Sequence, residues 1–140
     1  MELAITKILG IPNGPQENSW DLWVPLSRRG IPKRTLMNYA ERVHLSLSDL
    51  EKILPISAKT LQRYPKDKIL DRNLSGHVVA LAKIYVRAVE VFECEEKARH
   101  WLKKPNRALG GEIPFTLFDS LMGFQAIQDE LERIEYGVYC

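Results

Sequence analysis

An all-α fold follows from three features of the sequence. Apolar residues recur at three- and four-residue steps through most of the chain after residue 32. Proline and glycine stand where helices start and stop, and no segment alternates apolar and polar residues as a half-buried strand does. The 140 residues, 45% hydrophobic and 27% charged, suit one ordinary domain or two very small ones sharing a core, and they exclude a large multidomain enzyme. The apolar stretches fall far short of the ~20 residues that span a bilayer, and Met1 to Gly10 has neither the basic start nor the cleavage site of a secretory signal. A cytoplasmic protein with no membrane partner is expected. Of the two cysteines, Cys94 lies inside a helical pattern and Cys140 ends the chain, which suggests neither a disulfide framework nor a zinc cluster.

The elements follow in order. Residues 10–19 collect two Gly and two Pro among polar residues and read as a linker. Pro32 suits a first helical turn, and Leu36, Tyr39, Ala40 and Val43 then recur at helical spacing, which predicts a helix of roughly 32–44. Ser46 or Ser48 offers a cap to a short helix carrying Leu50, Ile53 and Leu54, stopped by Pro55. Ser57 caps a third, with Leu61 inward and Lys59, Thr60, Gln62 and Arg63 outward, and Pro65 ends it.

From Leu74 the longest helix is expected, with Val78, Leu81, Tyr85, Ala88 and Phe92 stepping at nearly 3.5 residues. Such a stripe suits pairing between two copies or burial within one chain. An amphipathic piece with Ala98, Trp101 and Leu102 precedes Pro105, and residues 106–114 read as a loop. Pro114 opens a helix over 114–121 whose apolar residues are Phe115, Leu117, Phe118 and Leu121. Gly123 precedes a last helix carrying Phe124, Ile127, Leu131 and Ile134.

The net charge of +2 conceals an asymmetry. Residues 28–72 hold eleven Lys and Arg against five acids, net +6, whereas residues 112–140 hold Arg133 alone against six acids, net −5. A basic segment followed by an acidic one suits a protein that faces nucleic acid at one end and a basic protein surface at the other, or else ordinary solvated helix surface.

Catalysis requires a nucleophile with its base, a carboxylate pair, a metal cluster or a phosphate-binding loop. His44, His77 and His100 fall on three separate helices without an i+4 companion. Gly110-Gly111 has no preceding strand and no following Lys-Ser/Thr. Asp129, Glu130, Glu132 and Glu135 point around a solvated helix. No catalytic residue, metal site or cofactor is expected.

The segment Ser48 to Tyr64 is more informative. Two short helices joined by a three-to-four-residue turn have helix-turn-helix spacing. In such a unit the second helix enters the major groove, where Lys59, Gln62 and Arg63 would reach base edges or phosphates while Ser57 and Thr60 bond the DNA backbone. Pro55 stands at the turn where glycine is usual, and Glu51 where a small residue is usual. The same unit could also serve as a helical dimer surface without DNA.

Taken together, Leu45-Ser-Leu-Ser-Asp-Leu50, Ile56-Ser-Ala-Lys-Thr-Leu-Gln-Arg63, Trp101-Leu102, Pro105-Asn106, Ala108-Leu-Gly-Gly111, Pro114 and Arg133-Ile-Glu-Tyr-Gly-Val-Tyr139 resemble the Xre/MbcA/ParS family of bacterial antitoxins, whose toxins carry the RES domain. The resemblance runs from about residue 26 to residue 140. It implies an extension or linker over residues 1–25, an Xre-like helix-turn-helix domain over 26–72 and a helical toxin-binding domain over 73–140, with no catalysis. It also implies a partner that destroys NAD, neutralised by covering its active site, and repression of the protein's own operon. If the 74–92 stripe pairs two copies, a homodimer and, by its symmetry, a palindromic operator would follow; a higher toxin–antitoxin assembly is also expected. Gly110 or Gly111 would hold a fixed corner in a conformation that other residues avoid.

Arg133, Glu135, Tyr136, Gly137, Val138 and Tyr139 match the family's closing motif and are the expected toxin contacts. Interface chemistry agrees, since Arg and Tyr are common anchors, a short extended tail beyond a helix can enter a cleft, and the −5 charge of residues 112–140 favours a pocket built for an anionic dinucleotide. The tyrosines could instead fold back onto the chain's own core. Two other classes stay open: a helix-turn-helix regulator without a toxin, and a small helical enzyme or ligand-binding domain, against which the missing site geometry argues.

Overall fold

The computed structural model describes residues 4–11 and 20–137, with Leu22 described by its backbone alone. Most of the linker segment therefore lies outside the described residues. Among these the chain is helical, and the only β pairing is two isolated bridges, Pro32 with Ile69 and Asn106 with Glu112.

Two helices precede the first one that periodicity predicts. α1 (Ile5–Leu9) buries Ile5, Ile8 and Leu9 against the core and ends at Gly10 in the left-handed region. The Asn38 side-chain amide donates to the Leu9 carbonyl at 3.1 Å, holding that end in place. α2 (Trp20–Arg29) carries Pro25 in its interior. That proline removes a helical hydrogen bond, and burial of Trp23 with packing of Leu26 offsets the loss.

α3 (Lys33–Val43) starts at Pro32, which has no side chain to cap it. The backbone after the third predicted helix does so instead: the amides of Lys33 and Arg34 donate to the carbonyls of Lys68 and Lys66 at 2.8 and 2.9 Å. α4 (Leu47–Ile53) opens with a capping box between Ser46 and Asp49. α5 (Ala58–Arg63) is capped by Ser57, as its sequence predicts, and Leu61 is its buried residue.

α6 (Arg72–Phe92) is capped by Asp71 and is the longest element. Its stripe of Leu74, Val78, Leu81, Tyr85 and Ala88 is buried within the chain, so the stripe serves intramolecular packing and is not left to pair with a second copy. Cys94 is not inside a helix: it occupies the turn that starts α7 (Glu95–Lys103). In the following loop Gly110 and Gly111 both have positive φ, 70° and 84°, as expected of a corner that other residues avoid.

Two corrections concern the last elements. Residues Pro114–Asp119 form a 3-10 helix, not an α-helix to residue 121. α8 (Leu121–Glu135), capped by Ser120, begins two residues before Gly123. Gly123 lies in its first turn because a Cβ there would sit 1.7 Å from the Leu117 carbonyl oxygen. The residue is chosen for close approach, not for breaking the helix.

The 3-10 helix Pro114–Asp119 packs against α4 and α7 as well as α8, while α6 runs against α1, α2, α7 and α8. The two halves thus share one core. A polar cluster joins them at the rim: Arg42 of α3 forms a two-point ion pair with Glu95 of α7 at 2.9 and 2.7 Å, and Tyr85 of α6 donates to the same carboxylate at 3.0 Å. No buried side-chain polar atom among the described residues lacks a partner. No helix among them is long and apolar enough to cross a membrane.

Candidate functional site

Two separate surfaces carry the residues that the sequence singles out. The first is α5. Ser57 spends its hydroxyl on the helix itself, accepting from the Thr60 amide at 3.1 Å and donating to the Thr60 hydroxyl at 2.8 Å. Lys59, Gln62 and Arg63 are exposed and share one face by their i, i+3, i+4 spacing. Lys33 of α3 donates its ammonium to the Tyr64 carbonyl at 2.8 Å, closing the end of α5 where helix carbonyls are orphaned.

Glu51 has a role that its sequence position does not reveal. Its carboxylate accepts from the Ala58 amide at 2.8 Å, so it caps α5 from α4 across the turn. An anion at a helix N-terminus is favourable, and this contact fixes the two helices of the unit relative to each other. Pro55 is exposed in that turn, where it interrupts no helix.

The second surface is α8 and its end. Glu135, the last residue of the helix, meets Arg87 of α6 at two points, 2.8 and 2.6 Å. This pairing is the main reason that the Glu135 carboxyl is held below its ordinary value. Arg133 pairs with the buried Glu130 one turn earlier and is otherwise open to solvent. Tyr136 is 67% exposed, so it does not fold back onto the core. Gly137 follows with φ of 64° and turns the chain out of the helix. Val138 and Tyr139 lie outside the described residues.

Leu121, one of the apolar residues of the expected 114–121 helix, is 87% exposed in the structure, and its neighbour Met122 is 81% exposed. The chain bends at Ser120 between the 3-10 helix and α8, which resets the helical phase. Phe118 before the bend stays buried and packs on Phe124, with ring centroids 4.9 Å apart.

The described residues contain no group of three His, Cys, Asp or Glu that could hold an ion. His77 contacts the Phe118 carbonyl at 2.7 Å, a structural use of a half-buried histidine. Tyr85, pushed up to about 12 chiefly by burial, is neutral and serves the cluster around Glu95 as a hydrogen-bond donor.

Comparison with known proteins assigns both surfaces to domains. Residues 22–83 match the family model of the antitoxin Xre-like helix-turn-helix domain. Residues 87–137 match that of the antitoxin Xre/MbcA/ParS C-terminal toxin-binding domain. No curated protein matches the chain in a sequence search. Among solved structures, one chain of the crystal structure of the M. tuberculosis MbcT-MbcA toxin-antitoxin complex is similar, with a TM-score of 0.54 at 18% identity. The similarity covers 77% of this chain and 96% of that one, and at this identity it speaks for the fold.

Proposed function

Since this chain is an Xre/MbcA-like antitoxin with a helix-turn-helix half and a toxin-binding half, and so no enzyme, we propose that it neutralises a RES-domain toxin that degrades NAD. In this reading the end of α8 and the tail block the active site, with Arg133, Glu135, Tyr136, Gly137, Val138 and Tyr139 as the contacts. The observation that carries it is the exposure of Tyr136 beyond a helix end that the Arg87–Glu135 pair holds fixed. A projecting aromatic on a fixed base loses little freedom on binding, which favours an anchor of this kind.

We further propose that α5, through Lys59, Thr60, Gln62, Arg63 and the helix cap Ser57, reads operator DNA in the cytoplasm and represses the antitoxin's own operon. The exposed basic face of α5 supports this. Dimerisation and a higher toxin–antitoxin assembly belong to the same proposal, as a dimer presents two recognition helices to a palindromic operator. The stripe of α6 is already occupied within the chain, so the dimer contact lies elsewhere.

Co-purification of the RES-domain protein encoded beside this chain, followed by size-exclusion mass measurement, tests the partnership. A stable complex that Tyr136→Ala dissociates without unfolding the antitoxin is the expected result. Absence of a complex overturns it.

A further inference from the structure

We infer that the toxin interface is not confined to the chain end but runs the full length of the outer face of α8, with Leu121 and Met122 as a second apolar anchor. This rests on the toxin-binding reading of residues 87–137. Among the described residues of that domain, the exposed large apolar side chains are Leu121, Met122 and Tyr136, and all three stand on this one helix or at its end. Leu121 and Met122, adjacent and both exposed, form a contiguous apolar patch of the kind that marks an interaction site.

Helical geometry puts them on one surface. At 100° per residue, Leu121, Gln125, Gln128, Asp129, Glu132 and Tyr136 fall within about a third of the helix circumference, with Met122 at its edge. Each of the six is exposed, as is Met122. The 15-residue helix separates the two anchors by about 22 Å. Between them the face is polar and acidic: Asp129 accepts from the Gln125 amide at 2.8 Å along the helix, and Glu132 has no basic partner among the described residues.

Both ends of this face are fixed before any partner arrives. Ser120 caps the start of α8, where Gly123 lies against the Leu117 carbonyl, and Arg87 holds its end. The kind of partner that fits is a basic surface with two apolar recesses about 22 Å apart. A toxin whose substrate pocket is built for an anionic dinucleotide offers such charge around its mouth, and the acidic middle of α8 complements it. A second copy of this chain would bring acid against acid along the same face.

The test uses the full-length antitoxin and the co-expressed toxin, with affinity measured by calorimetry and oligomeric state by light scattering. Leu121→Asn with Met122→Asn should keep the wild-type melting temperature and weaken toxin binding at least about 30-fold, the loss typical of hot-spot anchors. Leu121→Ala alone gives the same direction if the double variant folds poorly. Asp129→Asn with Glu132→Gln should slow association and flatten its salt dependence. Wild-type binding that the apolar variants leave unchanged overturns the inference while sparing the toxin reading. An altered oligomeric state with unchanged toxin affinity assigns the patch to a second copy and overturns it too. No binding by the wild-type chain overturns the toxin reading together with this one.

Discussion

The guanidinium of Arg87 on α6 and the carboxylate of Glu135 at the end of α8 meet at two points, 2.8 and 2.6 Å apart. A two-point pair fixes direction as well as distance, so the residue after it, Tyr136, projects from a defined position on the surface.

This pair makes the helix end acid-sensitive. Glu135 is held below the usual carboxylate range mainly by its hydrogen bond with Arg87, so the folded state favours its charged form. Its contribution is present above the ordinary glutamate value of ~4.3 and is lost as pH falls through the lowered folded-state value. Amide protection at Ile134, Glu135 and Tyr136, with exchange corrected for its intrinsic pH dependence, should therefore be steady from pH 7 to 5 and fall only below the ordinary glutamate value of ~4.3. Arg87→Ala should show the reduced protection at neutral pH. Unchanged exchange in that variant would show that α8 ends without help from α6.

The cluster around Glu95 joins the two halves and should matter to global stability. Glu95 is held low first by its hydrogen bond with Arg42, then by Tyr85 and nearby charge, and its side chain is about a quarter exposed. Glu95→Gln keeps the shape and removes the charge, and should cost about 2 kcal/mol, the scale of hydrogen bonds to charged groups. Urea unfolding at neutral pH checks this. The difference from wild type should shrink as acid protonates Glu95 in the native chain, because its contribution exists only above its lowered value.

Gly123→Ala should be far worse than a helix-interior glycine replacement usually is. Such a replacement elsewhere stabilises by a few tenths to ~1 kcal/mol, but here the added Cβ meets the Leu117 carbonyl oxygen, and relief requires shifting the 3-10 helix that packs on α4 and α7. A loss of about 3 kcal/mol, at the upper end of overpacking, is expected by thermal unfolding. A variant as stable as wild type would mean that the start of α8 is loosely set.

On DNA, Lys59→Ala and Arg63→Ala should each weaken operator binding without affecting folding, since both side chains are exposed. A residue that contacts phosphate should reduce the salt slope by about 1, whereas one that reads a base edge should cost ~1–3 kcal/mol at a single operator position. Retardation assays over a salt series separate the two roles. Glu51→Ala should weaken binding through the lost cap on α5 and leave the salt slope unchanged.

How much of this was legible in the sequence depended on whether local rules matched the fold. Ser46, Ser57 and the apolar steps of α3 to α7 obey capping and periodicity, so those helices could be read directly. α1 and α2 could not. α1 is five residues with no side-chain cap, and Pro25 inside α2 reads as a stop, while burial of Ile5, Ile8, Leu9 and Trp23 overrides both signals. The expected 114–121 helix does not run through Ser120, where the chain bends, so Leu121 opens α8 and is exposed. Glu51 read as a misfit because its partner, the Ala58 amide, is supplied by the turn geometry and not by spacing. Cys94 read as helical because the apolar pattern runs on past Phe92, whereas Glu93 takes a left-handed conformation that ends α6.

The most direct test of the central claim is cellular NAD content when the proposed partner, a RES-domain protein encoded beside this chain, is expressed alone, with this chain, or with its Tyr136→Ala, Tyr139→Ala variant. Folding and abundance of the variant are verified in parallel. The account predicts that NAD collapses with the toxin alone, is preserved by the full chain and collapses again with the variant. Preservation of NAD by the variant as well as by the full chain would contradict an active-site block by the chain end.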